Sequence, residues 1–485
     1  MQYSIDDLIS LLPIVFVIGW AMLLLLLDVF WLKKKKGWTA GLAAIGLSAS
    51  LGIVGKQYGV EATAFNGMVI VDQFSSFLYL LILGSGLVSI ALTYGYMKER
   101  GAERGEFYVL MLFSISGVML MTSAADLIVI FLSLELLSIP LYIMAAFLHK
   151  NEGSEEAGLK YFLLGAFAGG FILYGVALVF GATMTTNLAG VMTAIQVGVE
   201  SPDLLLVGAG LILVGLGFKV AAVPFHMWTP DVYQGSPTPA TAYMAVGAKV
   251  GGFAALLRIF ISAFSAWEGS VDLIPVIWGV TALTLVVGNF TAIAQKNVKR
   301  MLAFSSISHA GFILMAFINF NNAEVFPIAV SSALFYLLAF AITSFGSWAV
   351  VISLEKKEGQ GLDLEDYAGL GKKYPWLAVA MLIYMLSFMG IPPTIGFAGK
   401  FVVFRAVIEG GFYWLAVLGV LTSLVSAFYY LRIVRIMYMQ DGEPQVEADF
   451  WVRLVIIASA VVTVGLLFVS SSLFDMVSKA ILVMF

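Results

Sequence analysis

The chain has 485 residues, 61% of them hydrophobic and 12% charged, with a mean hydropathy of +0.98. Soluble globular domains are about half apolar and about a quarter charged, so these values exclude that class and require a polytopic membrane protein. Zero cysteines and 3 histidines leave no thiolates for an iron–sulfur or zinc site and too few imidazoles for a haem array, so any electrons of a redox process travel elsewhere. A net charge of -4 without a basic stripe argues against nucleic acid as a partner. No glycine-rich phosphate loop follows a strand-like run, so nucleotide binding has no support.

The N-terminal stretch from Met1 to Ser10 carries Asp6 and Asp7 but no basic residue, the wrong flank for a signal peptide. Its apolar run continues to Leu32, too long for the core of such a peptide, and reads as the first membrane helix. Apolar runs of about 20 residues predict about fourteen transmembrane helices. They lie near 8–32, 37–57, 73–97, 106–123, 125–148, 157–182, 204–232, 238–264, 272–294, 300–319, 325–353, 374–408, 411–437 and 452–475.

Basic residues test this count. Lys33 to Lys36, Lys98, Arg100, Arg104, Lys150, Lys296, Lys299, Arg300, Lys356, Lys357, Lys372, Lys373, Arg432, Arg435 and Arg453 all fall on one side. The opposite loops 183–203, 265–271 and 320–324 contain no lysine or arginine, which leaves Lys56 and Lys479 on that face. By the positive-inside rule the clustered side is cytoplasmic, the number of spans is even and both termini lie outside.

Inside the predicted spans remain Glu135, Lys160, Lys219, Lys249, Arg258, Lys400 and Arg405, with His226 and His309. A charge in hydrocarbon costs about 2.5–3.5 kcal/mol on insertion scales, so each mid-depth charge is a candidate for function. Glu135 has no partner nearby in sequence; it is either half of a structural helix–helix ion pair or a titrating group with a lysine on another helix. Lys160 follows Glu156 by one turn, so an ordinary i,i+4 pair competes with any role in a path. Lys219 and Lys249 lie near mid-depth, where each needs a carboxylate, a water-filled cavity or loss of its proton. A lysine poised in this way changes charge when its partner moves. His226 sits about 10 Å along the helix from Lys219, suited to a water-bridged relay step or to capping backbone freed by Pro224. For His309, among Ser305, Ser306 and Ser308, packing and relay readings both stand. Arg258 and Arg405 are expected to snorkel to an interface as structural residues, and the many aromatics and methionines to pack or face lipid.

Two spans are broken. Pro224 interrupts the run after Lys219, and Gly390, Pro392, Pro393, Gly396 and Gly399 interrupt the run before Lys400. Irregular backbone at membrane depth is tolerated where protein or water satisfies it, and paired broken helices point to a transport path. The breaks fall in spans of opposite direction, five apart. This predicts an all-α polytopic membrane protein with two inverted five-helix repeats: residues 106–264 (helices 4–8) and 272–437 (helices 9–13), after helices 1–3 in 1–105 and before helix 14 in 438–485. The symmetry is incomplete, because Lys219 precedes Pro224 while Lys400 follows Pro392, and span 10 has no acid matching Glu135.

The string VPFHMWTPDVYQGSPTP from Val223 to Pro239, with SLELLSIPLY around Glu135, KRMLAFSSISHAG from Lys299 to Gly311 and GIPPTIGFAGKF from Gly390 to Phe401, resembles the subunit N (subunit 2 type) family of bacterial respiratory complex I, the NADH:quinone oxidoreductase. The first string differs from the PxAHxxAPxPVS style of the L and M subunits and of multisubunit cation/proton antiporters, the alternative reading. The resemblance implies fourteen helices and a proton-translocating role driven by quinone reduction in partner subunits. It assigns Glu135 and Lys219 to a coupled mid-membrane ion pair, Lys249 and His226 to a central relay, Lys400 to the exit side and Lys160 to a further family lysine on span 6. NADH, FMN, iron–sulfur clusters and quinone are then expected in partner subunits, with no cofactor or metal in this chain. The implied partners are neighbouring antiporter-like and small membrane subunits within a bacterial inner membrane.

Overall fold

The computed structural model describes residues 5–32, 37–356 and 359–480; the Lys33 to Lys36 cluster and Lys357, used above for topology, lie outside them. In hydrocarbon a chain satisfies its own N–H and C=O groups only as a helix or a closed barrel. Long apolar runs here become helices. Twelve are long and apolar enough to cross a membrane, and a bent pair makes a thirteenth. Spans 1 to 7 are Leu12–Phe30, Gly37–Gln57, Gln73–Glu99, Gly105–Ser123, Leu127–Ala145, Glu152–Thr183 and Pro202–Val220. Spans 8 to 11 are Thr238–Phe264, Glu268–Ile293, Val298–Phe317 and Phe326–Leu354, and span 13 is Tyr413–Met439. In place of the predicted span 12 stand two shorter helices, its two halves, Pro375–Met389 and Ile395–Glu409, neither of them among the twelve. Span 14 is the pair Phe450–Gly465 and Ser470–Ser478.

The helix starts are set by side chains that take up free N–H groups. Asp72, Asp126, Asn151, Asn297 and Asp449 each accept from a backbone N–H in the first turn they cap.

Several boundaries differ from the sequence reading. Span 7 ends at Val220, and the expected continuation to 232 becomes a separate short helix, Trp228–Gly235. Pro224 lacks an N–H and cannot continue the ladder. Span 14 turns by 89° after Gly465 instead of running straight to 475; glycine is a poor helix former, and Ser470 to Ser472 open the second piece. A small antiparallel pair, Ala62–Ala64 with Val69–Val71, adds a hairpin to the helical fold. Its turn places Phe65, Asn66 and Gly67 at positive φ, a conformation that the Asn-Gly pair favours.

Burial divides the helices into layers. All of the sampled window of span 8 is buried, with 94% for span 10 and 83% for span 11, against 33–39% for spans 1, 2, 6, 9 and 13. Spans 8, 10 and 11 therefore form the centre, and any charge they carry is held by protein.

Backbone landmarks recur in the two halves. Leu127 and Ala125 exchange backbone bonds with Thr186 and Leu188, as Val298 and Lys296 do with Leu362 and Leu364. Span 7 closes with Ala221 at positive φ and a bond from Ala222 N–H to Gly217 O; the first half of span 12 closes with Gly390 at positive φ and a bond from Ile391 N–H to Leu386 O.

Candidate functional site

The two helix breaks open the bundle centre to polar side chains. On span 5, Glu135, Ser138 and Tyr142 are spaced by three and four residues and share a face. The half-buried Glu135 carboxylate lies on Gly169 of span 6, where a Cβ would come within 3.0 Å of Oε1. Lys219, at the end of span 7, is 1% exposed. Its ammonium donates to Ser138 Oγ at 2.7 Å and Tyr142 Oη at 3.1 Å. The rings of Tyr142, Tyr161 and Phe218 stand within 6 Å of it.

The expected Glu135–Lys219 ion pair is not a direct contact: among the described residues neither forms a salt bridge with the other, and Ser138 and Tyr142 occupy the ammonium instead. Glu135 lies on the same face of span 5 as the two hydroxyls that hold Lys219.

Lys249, on span 8, is also buried; it donates to Val220 O at 3.2 Å and to Ser306 O at 2.7 Å. The first acceptor exists because the break after Val220 leaves the last carbonyls of span 7 without helical partners. The second brings Lys249 to span 10, one turn from His309. His309 joins Tyr336 Oη at 2.7 Å through Nδ1 and Tyr430 Oη at 3.1 Å through Nε2; Tyr430 in turn meets Ser305. Lys400 donates to Met389 O at 3.0 Å, a carbonyl freed by the second break, and to Ser423 Oγ at 2.7 Å. It lies 4.5 Å from the centre of the Phe312 ring, one turn beyond His309. Gly390 at positive φ leaves room for the stem of Lys400, which a Cβ there would meet at 2.7 Å.

Glu135, Lys219, Lys249, His309 and Lys400 thus follow one another across the bundle. The lysines in this file bind hydroxyls and carbonyls, groups that solvate an ammonium without neutralising it.

Two expected members stand apart. His226 is half-buried in the break, and among the described residues its Nδ1 is unpartnered and it has no bond to Lys219 or Lys249; the chain leaves span 7 at Val220, before reaching it. His309 occupies the central place instead. Lys160 is 41% exposed and forms the i,i+4 pair with Glu156 at 2.7 Å plus a second with Asp231 at 2.7 Å, which also binds Arg300. Arg405 pairs with Glu409 at the surface as expected. Arg258 does not snorkel: it is fully buried, bonded to both oxygens of Asp72 at 2.6 and 3.0 Å and to Thr122 O.

Sequence reading missed Tyr336, Tyr430 and Ser423, because one aromatic or serine among many carries no periodic signal. It also counted Lys299 and Arg100 with the loop charges, whereas the structure buries them. Among the described residues no group of three or more metal-ligating side chains occurs.

The fold and the file define a polytopic membrane protein with a buried chain of ionisable groups between two broken helices. The profile of the NADH:quinone oxidoreductase/Mrp antiporter transmembrane family matches residues 124–426. An NADH-quinone oxidoreductase subunit N from Chloroflexus aggregans is 43% identical over 488 residues, covering 99% of this chain and 98% of that one. A chain of respiratory complex I from Thermus thermophilus with bound aureothin superposes with a TM-score of 0.83 at 34% identity, over 96% of this chain and 99% of that one. A chain of the Mrp complex from a Dietzia species matches with a TM-score of 0.83 at 21% identity, over 98% and 97%, a likeness of fold alone. The chain belongs to the NADH:quinone oxidoreductase/Mrp antiporter membrane-subunit family, and its curated relatives are of the subunit N type.

Proposed function

We propose that the chain is the proton-translocating subunit N of an NADH:quinone oxidoreductase, a non-redox subunit that moves protons outward while partner subunits reduce quinone. The observation that carries this is the buried file of Lys219, Lys249, His309 and Lys400, in which each lysine is held by hydroxyls or carbonyls and His309 by two tyrosines. In this reading the field of Glu135 holds the ammonium of Lys219. Displacing or protonating that carboxylate from a neighbouring subunit releases the Lys219 proton, and charge passes through Lys249 and His309 to Lys400 and the outer face. Each charge moved works against about 2.3 kcal/mol per 100 mV of membrane potential, which quinone chemistry elsewhere must supply.

The recurring backbone landmarks support two inverted five-helix repeats, 106–264 and 272–437, flanked by 1–105 and 438–485. The basic-residue asymmetry supports a bacterial inner-membrane location with both termini outside and the clustered side in the cytoplasm. Neighbouring antiporter-like and small membrane subunits are the proposed partners, and the half-buried Glu135 is the group on which one would act.

The test is proton pumping by the assembled complex in inverted membrane vesicles. Glu135→Ala and Lys219→Ala are each expected to lower quinone-coupled pumping roughly tenfold or more. Near-wild-type pumping by both would sink the assignment, and pumping driven by a sodium gradient without quinone reduction would favour the antiporter alternative.

A further inference from the structure

A second group of buried charges lies at the end of the bundle marked by the basic clusters, and the file above does not use it. Glu355 closes span 11 and is 9% exposed. Its Oε1 accepts from Tyr96 Oη at 3.0 Å and meets Arg100 Nη2 at 3.4 Å, while Oε2 accepts from Thr238 Oγ1. Arg100 is anchored twice more, by a bond to Lys356 O at 3.0 Å and by the Tyr96 ring 3.6 Å beneath its guanidinium. Lys299 opens span 10, is 1% exposed, and makes one bond, to Ser236 O at 2.7 Å. The charges of both Glu355 and Arg100 are felt at Lys299.

Lys299 and Ser306 are two turns apart on one face of span 10, about 10 Å along its axis. A serine carbonyl stands at each end of this step. Ser236 O takes the Lys299 ammonium and Ser306 O takes that of Lys249. Ser236 Oγ is buried without a partner among the described residues, and Ser306 Oγ has the Tyr233 hydroxyl beside it. Buried hydroxyls in native proteins are rarely left unpaired, and a site bounded by these hydroxyls and two lysine amino groups is polar enough to hold bridging water.

We infer that Lys299 is the cytoplasmic entrance of the proton path, with Glu355 positioning its charge and the Ser236 and Ser306 hydroxyls guiding water between Lys299 and Lys249. This rests on the proposed proton-translocating reading. The step balances as a simple relay: cytoplasmic hydronium gives a proton to the Lys299 amine and leaves water, the resulting ammonium passes one proton through bridging water to the neutral amine of Lys249, and Lys299 returns to the amine while Lys249 becomes the ammonium. Arg100 cannot take this part, because a guanidinium does not give up its proton in proteins; it anchors Glu355.

Substitution of Lys299 by arginine separates a proton carrier from a structural cation. Lys299→Arg keeps the charge and a donor for Ser236 O but cannot release a proton. In assembled complex, quinone-coupled pumping by this variant is expected to fall roughly tenfold or more, and wild-type pumping would overturn the assignment. Should Lys299→Arg fail to assemble, Glu355→Gln and Glu355→Asp decide it. The amide variant is expected to lose several-fold in pumping rate while the aspartate variant retains most of it, and equal, normal pumping by both overturns the proposal. Lys219→Ala measured alongside distinguishes the failures. If it too pumps normally, the proton-translocating reading itself is wrong; if it is inactive while Lys299→Arg is normal, only the entrance is.

Discussion

Arg258 and Lys219 are both cations buried at 0% and 1% exposure, yet their surroundings are opposite. Arg258 meets a carboxylate on both oxygens and a carbonyl besides, and Asp72, its partner, also caps span 3. That charge is neutralised where it stands and ties spans 3, 4 and 8 together. Lys219 meets two hydroxyls and three ring faces, with its carboxylate held off by a turn of helix. Paired charge makes a fixture; solvated but unneutralised charge makes a group whose proton responds to a distant field. The same contrast separates Arg100, held by Glu355 and two carbonyls, from Lys299 with its single bond.

The comparison can be broken at several points. Arg258→Ala has the largest expected effect, about 3–5 kcal/mol of lost stability, because it strands the Asp72 carboxylate in the core. The amount of assembled complex recovered from membranes reads this out, and normal recovery would mean that the pair is not structural. Ser138→Ala is expected to leave assembly intact but to slow pumping by roughly ten- to a hundredfold, the equivalent of a hydrogen bond to a charged group at about 1.5–3 kcal/mol. Unchanged pumping would show that Lys219 does not need its bridge to span 5. Arg405→Ala, which removes an exposed pair with Glu409, is expected to shift stability by at most about 0.5 kcal/mol and pumping not at all. A large loss there would erase the distinction between surface and file.

The membrane class, the succession of spans and both breaks were legible in the chain because each rests on a property counted along one dimension: hydropathy over about 20 residues, the distribution of lysine and arginine, and prolines that end a helical ladder. Glu135, Lys219, Lys249 and Lys400 stood out for the same reason, as charges where hydrocarbon disfavours them. His226 was misplaced because seven residues measure about 10 Å only while the helix continues, and it ends at Val220.

Composition and order therefore determined that this protein crosses the membrane many times, where its helices break and which charges need explaining. Only the packing of spans 8, 10 and 11 at the centre decided which of those charges meet. Packing turned Lys299 from a loop cation into a core group, laid the Arg100 side chain against Glu355, set His309 between two tyrosines and put Ser138 where a direct ion pair was expected. The physical reason is that hydrogen-bond partners in a helical bundle come from other helices, tens to hundreds of residues away, and no pattern along one helix encodes which neighbour's hydroxyl or carbonyl will face it.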